Sequence, residues 1–199
     1  SYYGMRAILI LYLTKYHLFG VNKASMIYGA YAGLVYMMPI VGGYLADRYL
    51  GSRKAVTYGA ILLVLGHGLM AFHGPAAYMD GENIIRDDFF INVFFLALAL
   101  IIGGVGFLKA NISRVVGALY GPNDPRRDGG FSIFYMGINL GALLAMIVVG
   151  YVGEVHGWNY GFSIAGIGML FGLLVFLWGQ KYLDGRAEPP RPEILREKS

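Results

Sequence analysis

The chain has 199 residues, 57% of them hydrophobic and only 14% charged, where a soluble domain carries about 25% charged residues. Thirty glycines, 16 tyrosines and 12 phenylalanines fit a polytopic membrane protein, whose helices use Gly more freely than soluble ones. The formal charge of +4 is spread between apolar runs, which excludes a basic nucleic-acid face, and the lack of cysteine excludes disulfides and thiolate metal sites.

A spanning helix needs about 20 mostly apolar residues. Six such runs are predicted in chain order. The first is Ser1–Tyr16, which opens in mid-helix with no charged leader; we expect a fragment of a longer chain without a signal peptide. The second covers Ser25–Tyr49, with Pro39, Gly42 and Gly43 as points of bending, and the third Ala55–His73. The fourth, Phe89–Tyr120, is longer than a bilayer requires, so it tilts or projects into water. The fifth is Gly130–Val155 and the sixth Trp158–Tyr182. Long continuous runs predict helices rather than barrel strands. The expected fold class is an all-α membrane protein, a six-helix transmembrane bundle over residues 1–183. The polar, Pro-rich residues 184–199 form a cytoplasmic linker tail.

Charge alternates between the connections. Arg48, Arg53, Lys54, Arg126, Arg127 and the five basic residues after the sixth span place 10 of 16 cations on one side. Lys15, Lys23 and Arg86 lie on the other, beside Asp80, Glu82, Asp87, Asp88 and Glu154. The positive-inside rule makes the richer side cytoplasmic, so both ends of the chain are expected in the cytoplasm.

Three cations remain: Arg6, Lys109 and Arg114. Arg114 lies near the cytoplasmic end of its span and is read as snorkelling. Arg6 and Lys109 are harder to place. A cation at a membrane helix centre costs roughly 2.5–3.5 kcal/mol on insertion scales, and no Asp or Glu lies deep in any span. Lys109 either snorkels from the last third of its helix, or serves a carboxylate supplied by a ligand or by sequence outside this chain. Polar neighbours favour a shared cavity. Tyr2 and Tyr3 precede Arg6 by four and three residues, Tyr28 and Tyr36 share a stripe, and Ser132, Tyr135 and Asn139 share another. The plainer reading of each Tyr is an interfacial anchor. For Asn139, between Gly137 and Gly141, it is interhelical hydrogen-bond glue. Arg6 and Lys109 also occupy spans one and four, equivalent positions if the six helices are two three-helix repeats.

Four segments carry a family resemblance. GGYLADRYLGSRK, residues 42–54, resembles the loop between helices two and three of the major facilitator superfamily. Its one extra residue between Arg48 and Gly51 is similar to the spacing in the proton-dependent oligopeptide transporter family. SYYGMRAILILYL at the start resembles that family's first helix, without the acidic segment that precedes it there. FSIFYMGINLGALLA, residues 131–145, resembles its fifth-helix signature, and GFLKANIS its fourth helix, with Ala110 where Pro is common. The likeness implies the N-terminal six-helix half of a transporter built from two such halves.

By that resemblance, Tyr2, Tyr3, Arg6, Tyr36, Lys109 and Asn139 match peptide-contacting positions, although Tyr31 lies near Tyr36. Gly43, Asp47, Arg48, Gly51 and Arg53 match the conformational motif. There Gly43 would allow close helix packing, and Asp47, at a helix end near cations, would help latch one state. The resemblance implies a proton-coupled symporter importing di- and tripeptides by alternating access. Its partners would be peptides, protons, the bilayer and a second six-helix half, with no cofactor. Short loops suggest a bacterial inner membrane. The alternative is another solute on the same fold: nitrate, an amino-acid conjugate or a drug. A membrane-embedded enzyme is disfavoured. Of His17, His67, His73 and His156, only His67 and His73 share a span, at a spacing unlike an i, i+4 zinc pair, and no GxSxG turn is present.

Overall fold

A computed structural model describes residues 8–72, 74–121 and 123–188. The first helix, α1, is described over residues 8–16 and closes in the π-helical turn Tyr12–Tyr16. Then follow α2 (Val21–Leu45), which runs on into the π-helical turn Ala46–Leu50, and α3 (Ser52–Ala71). A hairpin of β1 (Tyr78–Asp80) and β2 (Asn83–Ile85) leads to α4 (Asp88–Ala118), α5 (Arg127–Val155) and α6 (Trp158–Gly179). A 3-10 turn, Gln180–Leu183, ends the bundle. Among the described residues five helices are long and apolar enough to cross a membrane. The second to sixth predicted spans coincide with these helices, their ends moved by a few residues, and the described part of the first, residues 8–16, is helical.

The shifts at the ends have local causes. Asp87 caps α4: its Oδ1 accepts from the backbone N–H of Phe89 and Phe90, and Asp88 follows in the first turn. Both carboxylates favour a helix N-terminus, so α4 starts at Asp88. Between α2 and α3 the backbone turns at Gly51, whose φ of 75° favours glycine. The hairpin was not predicted, because a search for 20-residue apolar runs passes over six short strand residues. Its signal is local: the two-residue loop Gly81–Glu82 carries glycine at its first position, with φ 61°.

The bundle is organised around α4. Along α4, Ala97, Ile101, Gly104, Asn111 and Val115 recur at helical spacing and are buried. The matching stripe of α3 is Gly59, Leu63, Gly66 and Met70, all buried. The two helices run antiparallel at backbone distance. A Cβ added at Gly59 would lie 2.7 Å from the Gly104 carbonyl oxygen, and one added at Gly104 would lie 2.8 Å from that of Gly59. On another face of α4, Gly106 meets α2. A Cβ there would lie 2.8 Å from Met38 Cβ, and one on Gly42 would strike the Gly106 carbonyl. Small residues thus bring α4 against both neighbours, the packing mode of helices that cannot rely on water exclusion in lipid.

Tyr12 of α1 fills the centre of the core. Its ring stacks on Tyr16 at 5.0 Å and meets Phe162 edge-on at 5.0 Å, with Phe94 and Trp158 each at 5.7 Å. Offset and edge-on aromatic contacts of this kind add to the area they bury. The α1 end is tied to the hairpin loop. Arg86 donates to the carbonyls of His17 at 2.7 Å and Leu18 at 2.9 Å, which a helix end leaves without backbone partners. The chain after α6 is also held. Leu183 is buried with Val56 and Val115, and Arg186 donates to the carbonyls of Ala118 and Leu119 at the end of α4.

By contrast α5 is loosely held. Its buried residues are Val149 and Gly153, near its end, where it crosses α6 at Gly161. Most of its length, like the outer face of α2, is exposed. The glycine contacts generate a direct test. Gly104→Leu should destabilise the protein by about 1–3 kcal/mol or more through overpacking. A lowered midpoint in thermal unfolding of the detergent-solubilised protein would show it. An unchanged midpoint would remove the α3–α4 contact from the organising role given to it here.

Candidate functional site

Helix geometry brings Lys109 and Tyr36 together. Gly42 and Gly106 set α2 and α4 side by side and parallel, and the long side chain of Lys109 on α4 reaches Tyr36 on α2. The Lys109 Nζ lies 4.6 Å from the centroid of the Tyr36 ring, within cation–π range. Both side chains are exposed, Tyr36 at 56%. Tyr31, the other tyrosine on this helix, is instead buried in the core. Among the described residues Lys109 makes no ion pair: the four pairs are Lys15–Glu154, Arg53–Glu188, Arg114–Asp47 and Arg126–Asp124.

Those four pairs occupy the two ends of the bundle. At one end Lys15 Nζ of α1 meets Glu154 of α5 at 3.0 Å. At the other, Arg114 of α4 pairs with Asp47 on the π-helical turn after α2. The reading of Arg114 as a snorkelling cation left this pair out. It has a specific partner, which sequence separation of 67 positions conceals. In the turn between α4 and α5, hydrogen bonds from Arg126 hold the Asp124 carboxyl down to about 2.

The rest of the expected conformational motif spreads along the same end. Arg48 Nη1 donates to Tyr44 Oη at 3.0 Å. Gly51 supplies the positive-φ junction to α3. Arg53 pairs with Glu188 at 2.7 Å and donates to Gln180 Oε1 at 2.9 Å, while its backbone N–H donates to the Ala187 carbonyl at 3.0 Å. Gly43 is buried, but an added Cβ would meet Ala110 Cβ at an ordinary 3.5 Å. The close backbone approach expected at Gly43 belongs to its neighbour Gly42.

Asn139 lies on the exposed face of α5, and its amide donates to the Tyr135 carbonyl of its own helix at 2.9 Å. It therefore does not bond a neighbouring helix here. Ser132, one stripe position earlier, likewise bonds back to Asp128 at 2.9 Å. Tyr2, Tyr3 and Arg6 lie outside the described residues, as does His73. His67 is fully buried in the α3–α6 contact, its Nδ1 2.8 Å from the Leu63 carbonyl. That is a core position, not one open to solvent.

One residue of the site region escaped the sequence reading. Asn111 is fully buried, two positions beyond Lys109, and its Nδ2 donates to the Phe107 carbonyl at 2.8 Å and across to Gly42 at 3.3 Å. It fastens α4 to α2. The available signal is its register: Asn111 stands seven residues after Gly104 on the same stripe.

Long apolar helices joined backbone to backbone, with ion pairs at the two ends, make up a bundle of helices able by length and composition to cross a membrane. The chain belongs to the POT family, whose sequence profile matches residues 53–198. It is 43% identical over its full length to the di-/tripeptide transporter of Lactococcus lactis subsp. cremoris, covering 39% of that protein. It is 44% identical over its full length to the uncharacterized transporter YclF of Bacillus subtilis, covering 38%. A crystal structure of the peptide transporter POT in complex with sulfate superposes with a TM-score of 0.82 and 41% identity, over 99% of this chain and 39% of that one. The chain thus spans about two-fifths of the length of these relatives.

The Asp47–Arg114 pair is half-exposed on both sides, at 56% and 49%. Exposed pairs are worth about 0–1 kcal/mol. A double-mutant cycle with Asp47→Asn and Arg114→Gln, read by thermal unfolding, should give a coupling of about that size. A coupling above about 2 kcal/mol would mean that the pair is dry in the working protein.

Proposed function

We propose that this chain is the N-terminal half of a proton-coupled symporter that imports di- and tripeptides by alternating access. The observation that carries the reading is Lys109: an exposed amine on a membrane helix, held over Tyr36 and without a described carboxylate. Such a charge is costly unless a partner or a wet cavity relieves it. The C-terminal carboxylate of a peptide is such a partner, and its likeness to a di-/tripeptide transporter supports that choice. Tyr36 steers the ammonium through its ring face. Arg6 would add a planar fork for the carboxylate. Tyr2, Tyr3 and Asn139 would bind the backbone groups common to all peptides, leaving side chains to be accepted broadly.

The conformational motif fits the same reading. Asp47, Arg114, Arg53, Gln180 and Glu188 tie α2, α3, α4 and the chain after α6 together at one end. Helices linked in this way move as one body, while the exposed faces of α2 and α5 are left to meet a second six-helix half. Basic residues crowd the Asp47 end, which supports a cytoplasmic assignment for it and for both chain ends. Bacterial relatives support the inner membrane of a bacterium. In this reading the chain acts by transport and not by catalysis, and residues 184–199 link the two halves.

Lys109→Ala in the full-length protein is expected to abolish uptake of a labelled dipeptide into proteoliposomes under an inward proton gradient, with membrane insertion unchanged. Wild-type rates in that variant would overturn the role of Lys109. A lone amine also suits other anionic solutes, so the same assay with nitrate, an amino-acid conjugate and an anionic drug tests the competing reading. Gradient-driven uptake of one of these in place of peptides would replace the peptide assignment.

A further inference from the structure

At the Lys15–Glu154 end of the bundle a cavity of about 480 Å3 lies between the first turn of α2, the hairpin and the first turns of α4. Its volume falls in the range of small-molecule pockets, roughly 300–1,000 Å3. The buried ring of Phe19 holds two cations there. Lys23 Nζ lies 4.9 Å and Arg86 Cζ 4.6 Å from its centroid, within cation–π range. Arg86 also donates through Nε and Nη2 to the His17 and Leu18 carbonyls. A ring and two carbonyls orient these cations without cancelling their charge, and neither cation belongs to any of the four ion pairs among the described residues. Cations held on one ring repel at a distance that salt hardly screens, since the Debye length is about 8–10 Å. Asp88 is the third charged residue in the lining, so two cations and one carboxylate leave one net positive charge. The remaining walls are apolar. Ile91 and Phe95 stand about one and two turns into α4, so this wall runs from the charged rim into the span. Ile84 and Ile85 of β2 also line the cavity, and with Tyr78 and Met79 of β1 they are exposed. An exposed apolar hairpin beside the start of a span suits the headgroup region of a bilayer, where aromatic and basic side chains gather.

We propose that this cavity binds the headgroup of an anionic phospholipid, with its phosphate on Lys23 and Arg86 and the start of its acyl chains along Ile91 and Phe95. A single phosphodiester charge matches the net charge of the lining. Hydrogen bonds from Lys or Arg to phosphate are roughly twice as strong as neutral ones, and the apolar wall gives the chains a surface that a soluble phosphate does not use. A choline headgroup is neutral overall and leaves the charge of the site uncancelled, so phosphatidylglycerol is preferred to phosphatidylcholine. Asp88 opposes the phosphate and lowers its affinity. The bound lipid links α2 to the hairpin, and it does so whatever solute the protein carries.

The test titrates dioleoyl phosphatidylglycerol and dioleoyl phosphatidylcholine separately into the delipidated full-length protein in detergent, with bound lipid counted by native mass spectrometry. Lys23→Gln should raise Kd for the tightest-bound phosphatidylglycerol by about fivefold, the effect of one basic residue on an anionic lipid, and Lys23→Arg should restore it. Asp88→Asn should change that Kd by about the same factor in the opposite direction, which a merely structural effect of either substitution does not produce. Kd for phosphatidylcholine should stay within about twofold in every variant. Glycerol phosphate at equal concentration should leave the phosphatidylglycerol bound; displacement by it assigns the site to a soluble phosphate and overturns the proposal. So do equal shifts for the two lipids, or no shift in either Lys23→Gln or Asp88→Asn. A wild-type protein that retains no phosphatidylglycerol, as expected if a second six-helix half covers the cavity, overturns it as well.

Discussion

The backbone contact of α4 with α2 and α3 is the constraint from which the rest follows. Gly42 against Gly106 and Gly59 against Gly104 leave no room for a Cβ at either crossing. In lipid the helices gain little from hiding apolar surface, so close approach and the dispersion it allows become the main source of specific packing. Because α4 is gripped on two faces, its rotation is fixed. That rotation sends Asn111 inward to the Gly42 carbonyl and turns Lys109 out towards Tyr36. A small change in the α2–α4 crossing would move both residues together.

Charge is partitioned by the same frame. The two helix-to-helix ion pairs lie at the bundle ends, Lys15–Glu154 at one and Arg114–Asp47 at the other. Pairs so exposed add little stability. Their value lies in linking elements: α1 to α5, and α2 to α4. Arg53 and Arg186 do the same for the segment after α6, which they hold to α3 and to the end of α4. Among the described residues Lys109 takes part in none of these pairs; its ammonium lies over the Tyr36 ring, as that of Lys181 lies over Trp178.

The uneven packing of the bundle points the same way. The helices α3, α4 and α1 carry most of the buried side chains, whereas α5 contributes Val149 and Gly153. Exposed apolar length on α2 and α5 is surface that needs lipid or another helix bundle. Relatives more than twice as long as this chain fit the second of these.

The sequence by itself determined the second to sixth spans, their order and the two charged ends, because about 20 apolar residues and a bias of basic residues are local, additive signals. It also singled out Lys109, since a lysine is conspicuous in a long run without acidic residues, and Tyr36 from the family resemblance. Other features waited for the tertiary structure. Arg114 reads as a snorkelling cation, and its partner at Asp47, 67 positions away, comes alongside only in the fold. Gly42 and Gly43 are indistinguishable in sequence, and only the rotation of α2 makes Gly42 the contact. Asn111, hidden in a familiar-looking stretch, became a tie between helices once its amide reached the Gly42 carbonyl of α2. Gly137 and Gly141 have the glycine spacing that elsewhere signals tight packing, yet a Cβ added at either would meet nothing within 4 Å among the described residues. A glycine records the absence of a side chain, and only the neighbouring helix decides whether that absence becomes a contact.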